Sequence, residues 1–185
     1  MYGKKLVDFS QVKTVNLDEY CGLEPSNPQS YRYFMNKTLF EHINIDPDNT
    51  FLPDGTAKNA EEESLRYQAL VEKLGGADLQ LLGIGQNGHI GFNEPNDYFT
   101  RDVHAERLTQ STIDANSRLF GEGETVLTPA ITMGIGTIMK ADKIVLIAGA
   151  DKKDIIEETL NGNVTPKVPA SVLQLHKDVT VITVQ

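Results

Sequence analysis

The chain has a single cysteine, Cys21, so it can form no internal disulfide and has no second thiol at a metal-ligand spacing. Cys21 therefore reads as a structural or incidental thiol rather than a nucleophile. No window approaches the ~18 apolar residues that span a bilayer, and the opening MYGKKLVDFS lacks the apolar stretch of a secretory signal. A cytoplasmic chain with no membrane partner is expected. Positive charge is also scarce: 17 Lys and Arg against 26 Asp and Glu leave a net charge of −9. That balance excludes broad nucleic-acid binding, which needs a basic surface to displace the counterions around phosphate. It does not exclude a small anionic ligand, which responds to a few local cations and helix ends. The four histidines, His42, His89, His104 and His176, are scattered without paired ligand spacing, so metal binding is the weakest reading. No fixed-period repeat, low-complexity tract or linker interrupts the chain.

What remains is an ordinary globular composition, 39% hydrophobic and 23% charged, in a length that fits one domain over residues 1–185. The β-branched stretch VKTVNL (12–17) predicts a strand delivering Asp18, Glu19 and Tyr20 at its end. EPSNPQS is a turn-rich loop closing on Asn27 and Pro28 as cap and first helical position. The helix after it carries Tyr31, Phe34, Met35, Leu39 and His42 on one face. A second helix opens at Asn59, pairs it with Glu62, buries Tyr67, Leu70, Val71 and Leu74, and stops at Gly75 and Gly76.

DLQLLGIG (78–85) has the continuous apolar centre of a strand buried on both faces. RDVHAERLT reads as extended and STIDANSRLFG as a short helix. KIVLIAG (143–149) is another strand, entering the helix ADKKDIIEETLNG with Ile155, Ile156 and Leu160 toward the sheet and Gly162 as its stop. DVTVITVQ is the last strand. This alternation predicts an α/β fold of three layers with a mostly parallel, Rossmann-like sheet. Ligands of such sheets lie outside the carboxyl ends of the strands. That rule groups Asp18 and Glu19, the loop 84–95 and the turn at Lys152.

The loop LLGIGQNGHIGFNEP is the most informative stretch. Its glycines do not match a dinucleotide fingerprint. His89 and Glu94 are a candidate proton-transfer pair, since histidine titrates near neutral pH and a carboxylate can orient its ring. Asn87 can fix orientation without adding charge. The plainer account has His89 satisfying loop backbone groups and Glu94 solvated. Adjacent residues of an extended segment point oppositely, so only one of Asp18 and Glu19 can face the cleft as a base. Lys152, where a strand becomes a helix, and Arg118 in ANSR are candidate phosphate contacts, whereas Lys153 is expected to face solvent.

Together, NLDEYCGL, PQSYRYFM, GIGQNGHIGFNEP, ANSR, MGIGTIM and LQLH resemble the glucosamine-6-phosphate deaminase family over nearly the whole chain, and GHIGFNEP behind a strand is the most specific of them. The resemblance implies conversion of glucosamine 6-phosphate and water to fructose 6-phosphate and ammonia, with no metal or redox cofactor. It implies that Asp18 shuttles the proton between C2 and C1, and that His89 opens the ring with Asn87 and Glu94 completing its relay. Some relatives carry aspartate at the position of Asn87. It implies phosphate contacts from Arg118 and Lys152. On the same fold stand 6-phosphogluconolactonases and other amino-sugar-phosphate isomerases, against which the FNEP run favours the deaminase.

Two departures shape the expectation. The family's first strand-helix unit, with its phosphate-wrapping loop, precedes the segment where this sequence opens. The chain is therefore expected to bare apolar surface and unpaired backbone beside 12–17 and to associate as a homo-oligomer. It is also expected to deaminate poorly, or to act only as a sugar-phosphate-binding fragment. In addition, His104 and Glu106 occupy two places where allosteric relatives carry basic residues.

Overall fold

The computed structural model describes residues 7–117 and 129–184. In chain order the elements are β1 (Thr14–Val15), β2 (Asp18–Tyr20), α1 (Tyr31–Thr38), β3 (Thr50–Phe51), α2 (Ala60–Lys73), β4 (Leu79–Leu82) and β5 (His104–Glu106). They continue with α3 (Gln110–Ser117), β6 (Ala130–Thr132), α4 (Ile135–Ile138), β7 (Lys143–Ala148), α5 (Lys153–Asn161) and β8 (Val179–Thr183). Strands β4, β7 and β8 form a parallel sheet in that order, and β1 pairs in parallel with β3. A third, antiparallel sheet runs β2-β6-β5. The fold is thus the expected α/β, Rossmann-like arrangement with mostly parallel pairing.

Local chemistry sets the helix ends. Asn59 accepts the N–H groups of Glu61 and Glu62 at 3.0 and 3.3 Å and donates its own amide to Glu62 at 3.0 Å, closing the predicted cap. Gly75 and Gly76, at φ 89° and 87°, return their N–H groups to Glu72 and Val71 and end α2. The first helix departs from expectation. Asn27 closes a turn onto the N–H of Gln29 instead of capping, and Ser30 is the cap, its hydroxyl accepting the Tyr33 N–H at 3.0 Å. The predicted strand 12–17 is also broken. Thr14 and Val15 pair with β3, after which the chain turns to a different sheet at Asp18.

A continuous aliphatic core, including Leu82, Ile84, Ile90, Ile131, Ile144 and Leu146, fills the space between the sheets and α2, α4 and α5. A smaller cluster gathers Tyr20, Leu23, Phe92, Leu108 and Ala130. In α2, Tyr67 and Val71 are buried and Leu70 and Leu74 half-buried. In α5, Ile155 and Ile156 face the core, but Leu160, next to the last residue of the helix, is 39% exposed. The larger correction is β4. Gln80 and Leu82 are buried while Leu79 and Leu81 are 58% and 57% exposed, so its apolar run is covered on one face only. Those leucines border an open cleft of about 1220 Å³ between β1 and β4. Among the described residues, no strand pairs with β1 opposite β3 or with β4 opposite β7.

One side chain ties the helix layer to the strands beside this cleft. Tyr67 is fully buried, and its hydroxyl lies 2.8 Å from the Asn16 carbonyl and 3.2 Å from the Phe51 carbonyl. Tyr67→Phe removes that donor without opening a cavity. It should lower unfolding free energy by ~1–2 kcal/mol in urea titration, the cost of stranding a buried acceptor. A change below ~0.3 kcal/mol would show that the tie carries no stability.

Candidate active site

The loop leaving β4 is shaped around one imidazole. A Cβ at Gly85 would overlap the ring of His89, so only glycine leaves room for the side chain to fold back over the backbone. The Gly85 N–H donates to the His89 carbonyl at 2.9 Å, closing the turn. Further on, Gly91 takes φ 58° and brings the chain against β6. There Phe92 donates its N–H to the buried Thr132 hydroxyl at 3.1 Å, and a Cβ at Gly91 would lie 3.4 Å from Asp18 Oδ2. Asn93, also buried, donates its amide to the carbonyls of Ile90 and Met133. The loop is thereby fixed against β6, the strand that pairs Thr132 with Asp18 on β2.

Within it, His89, Asn87 and Glu94 form a line. His89 Nδ1 is 2.7 Å from Asn87 Oδ1, and Asn87 Nδ2 donates to Glu94 Oε2 at 2.9 Å. An amide oxygen can only accept, so Nδ1 carries the proton and Nε2 is left as the basic nitrogen. Glu94 is 8% exposed, and its other oxygen accepts the hydroxyl and the N–H of Thr109 at 3.1 and 3.3 Å. Burial holds the His89 pKa below the usual imidazole value; the Glu94 carboxylate works against that shift, and the Lys152 charge adds to it. A neutral imidazole at neutral pH can take a proton and return it.

Asp18 and Glu19 separate as an extended strand requires. Asp18 lines the cleft, and Glu19 turns away to the first turn of α1. Burial, reinforced by the charge of Glu19, pushes the Asp18 pKa up to about 7. Tyr31 stands beside it in the cleft, stacked on Tyr20 with ring centroids 5.4 Å apart. Lys152 lines the same cleft from the short turn Ala150–Lys152 ahead of α5, with its ammonium 3.7 Å from Asp151. Lys153 is exposed, as expected. Arg118, the other predicted phosphate contact, lies outside the described residues. Five of the sequence-predicted residues therefore gather around one loop and one cleft: Asp18, Asn87, His89 and Glu94, and Lys152 at the rim.

Sequence reasoning missed two contributors, Thr109 and Tyr31, and left Glu19 only as the alternative to Asp18. Thr109, which holds the far oxygen of Glu94, follows the loop by 14 residues with no periodic signal. Tyr31 reads from the sequence as part of a packing face, and the period-two alternation separates Glu19 from Asp18 without saying which of them faces the cleft. Away from the cleft, His104 pairs with Glu106 at 3.2 Å along β5. Cys21 is half-buried against the main core, and burial pushes its thiol up, which keeps it protonated and unreactive. No group of three or more His, Cys, Asp or Glu among the described residues is arranged to hold a metal ion, and no described helix is long and apolar enough to cross a membrane.

Comparison with known proteins establishes the family. Residues 2–182 match the family described as glucosamine-6-phosphate isomerases/6-phosphogluconolactonase. The chain is 60% identical over 182 residues to the glucosamine-6-phosphate deaminase of Lachnoclostridium phytofermentans, covering 98% of this chain and 77% of that protein. It is 55% identical over 183 residues to that of Clostridium beijerinckii, covering 98% and 76%. Among solved structures, a monomeric glucosamine-6-phosphate deaminase superposes with a TM-score of 0.94 at 43% identity, over 98% of this chain and 76% of that one. A 6-phosphogluconolactonase from Thermotoga maritima shares the fold, with a TM-score of 0.74 at 16% identity over 97% and 75%. The chain belongs to the glucosamine-6-phosphate isomerase/6-phosphogluconolactonase family.

Proposed function

We propose that this chain is a single catalytic domain that acts in the cytoplasm, deaminating glucosamine 6-phosphate to fructose 6-phosphate and ammonia. The observation that carries this reading is the meeting of Asp18 and the His89–Asn87–Glu94 line on one cleft, with the Lys152 ammonium at its edge. His89 Nε2 takes the proton of the C1 hydroxyl and delivers it to the ring oxygen, opening the sugar. Ionised Asp18 then removes the proton from C2 as O1 takes up a proton, giving the enolamine, and returns the C2 proton to C1 as the amino group gives up one N–H proton, so that the amino aldehyde becomes the isomeric ketimine at C2 with a hydroxyl on C1. Water adds at C2, the C2–N bond breaks, and ammonia leaves with the ketone formed. Each step needs positioned acids and bases, which contribute ~10²–10⁴-fold apiece. Lys152 holds the phosphate as a point charge beside the helix entry. Measuring fructose 6-phosphate and ammonia together tests the reading, because a lactonase or a binding-only protein releases no ammonia.

The two acid/base groups should separate by step. Asp18→Asn should abolish both turnover and exchange of the C2 proton with solvent, whereas His89→Gln should mainly slow reaction of the closed sugar. An Asp18→Asn enzyme retaining more than about a tenth of normal turnover would remove Asp18 from its role.

The raised pKa of Asp18 links activity to stability. As a base it works only when ionised, so kcat/KM should rise as pH increases through about 7. The folded pKa lies above the unfolded value, so the native state holds this proton more tightly. Its contribution to stability is complete below the unfolded value and is lost as pH rises from there to about 7. Above pH 7 the neutral Asp18→Asn variant should therefore be more stable than the parent by ~2–4 kcal/mol, after allowance for cleft water. The gap should close at pH 4. Equal thermal midpoints at pH 8 would contradict the shift.

Lys152→Ala should weaken phosphorylated ligands by roughly ten- to a hundredfold, as expected for loss of one charged hydrogen bond. Unphosphorylated glucosamine should be unaffected, and equal losses for both would rule the phosphate role out.

A further inference from the structure

The proposed reaction leaves Glu19 unused, although it is a carboxylate only 2% exposed beside the cleft. Its Oε1 accepts the N–H groups of Tyr20 and Tyr31 at 3.0 and 2.9 Å, and its Oε2 accepts that of Arg32 at 2.9 Å. Tyr31 and Arg32 open α1. With the Ser30 hydroxyl on Tyr33 and the Ser30 N–H on the Asn27 carbonyl, every N–H of the helix start is satisfied. The Arg32 guanidinium continues outward to the hydroxyl and carbonyl of Thr50 on β3 at 2.9 and 3.1 Å. A Cβ at Gly55 would lie 3.2 Å from Glu19 Cγ and would collide with the Tyr20 carbonyl, so the stem of Glu19 is enclosed as well.

We infer that Glu19 is a positioning residue for the reaction proposed above: its carboxylate, fixed by three backbone N–H groups, holds Tyr31 and Asp18 on adjoining walls of the cleft. It acts by geometry and by charge. Geometrically, it fastens α1 to β2 where Tyr31 and Asp18, both lining the cleft, come from neighbouring elements. Electrostatically, a fixed negative charge next in sequence to Asp18 favours the protonated form of that acid, adding to burial. The other ionisable groups around the pair are Tyr20 and Cys21 on the same segment, Tyr31 and Arg32 from α1, and Tyr67 from α2, with His89 and Lys152 lining the shared cleft. Burial pushes Glu19 itself up, and its N–H partners and Arg32 pull it partway back.

The test is carboxyl carbon NMR titration and amide exchange on the ligand-free chain, beside kinetics. In Glu19→Gln, one accepting oxygen becomes an NH₂ facing the Arg32 or Tyr31 N–H. The Asp18 midpoint should fall by about one pH unit, and amide exchange at Tyr31 and Arg32 should quicken by at least about tenfold, equivalent to losing one such bond. The acid limb of kcat/KM should move down with Asp18. Glu19→Asp keeps the charge but shortens the reach, so the amides should exchange faster while the Asp18 midpoint stays within about 0.3 unit of the parent. A role confined to folding would lower the thermal midpoint of both variants without moving Asp18. An unmoved Asp18 in Glu19→Gln therefore overturns the inference. If neither variant folds, the parent decides: Glu19 titrating near the ~4.3 of an exposed glutamate, with unprotected Tyr31 and Arg32 amides, overturns it. An elevated midpoint with protected amides supports it. Failure of the parent chain to release ammonia would sink the proposed function and leave these ligand-free readouts standing.

Discussion

Thr132 is paired in two directions at once. Fully buried at the end of the central strand β6, it stands opposite Asp18 on one side and His104 on the other, and its hydroxyl accepts the Phe92 N–H from the glycine loop. Three stretches far apart in sequence thus take their positions from a single residue. Because side chains alternate across a strand, a slip of one residue in the β2–β6 register would send Asp18 to the face now held by Glu19. The cleft would lose its base and α1 would lose its anchor together. The register is kept by the smaller core cluster, where Tyr20 stacks on Tyr31 and tilts against Phe92 at 5.4 Å from each.

Much of this was legible in the sequence, and the reasons differ by element. The cap at Asn59 and the stop at Gly75 and Gly76 depend on local chemistry, so the residues themselves announce them. The reaction loop was legible because histidine, glutamate and glycines crowd behind an apolar strand. The strand Leu79–Leu82 misled for a physical reason: periodicity reports how apolar a run is, not whether a neighbour covers both its faces. The split between Thr14–Val15 and Asp18–Tyr20 was hidden likewise, since a change of sheet is decided by distant partners such as Phe51 and Thr132. Thr109 and Tyr31 entered the site through tertiary contacts that leave no pattern along the chain.

The site balances opposed electrostatic demands with little mobile charge. Burial raises Asp18 to about 7 and lowers His89 below its usual value, so the carboxyl becomes a better proton acceptor while the imidazole stays neutral and free to take a proton. Glu94, with one oxygen 3.7 Å from His89 Nδ1 and the other held by Thr109, favours the charged imidazole, but burial outweighs it. The cost falls on stability, since a carboxylate poised in this way opposes folding at the pH where it works.

The amide of Asn87 has one more consequence. Its oxygen accepts from His89 and its nitrogen donates to Glu94, but an amide neither gains nor loses a proton near neutral pH, so the line conducts polarity and blocks ions. A proton picked up by His89 therefore has no relay through the amide to Glu94, whose carboxylate, 3.7 Å from Nδ1, acts on the imidazolium by its charge. It must leave by the nitrogen through which it arrived, making the imidazole a single-door vestibule in which every proton borrowed from a bound molecule is returned to that molecule or to the water beside it.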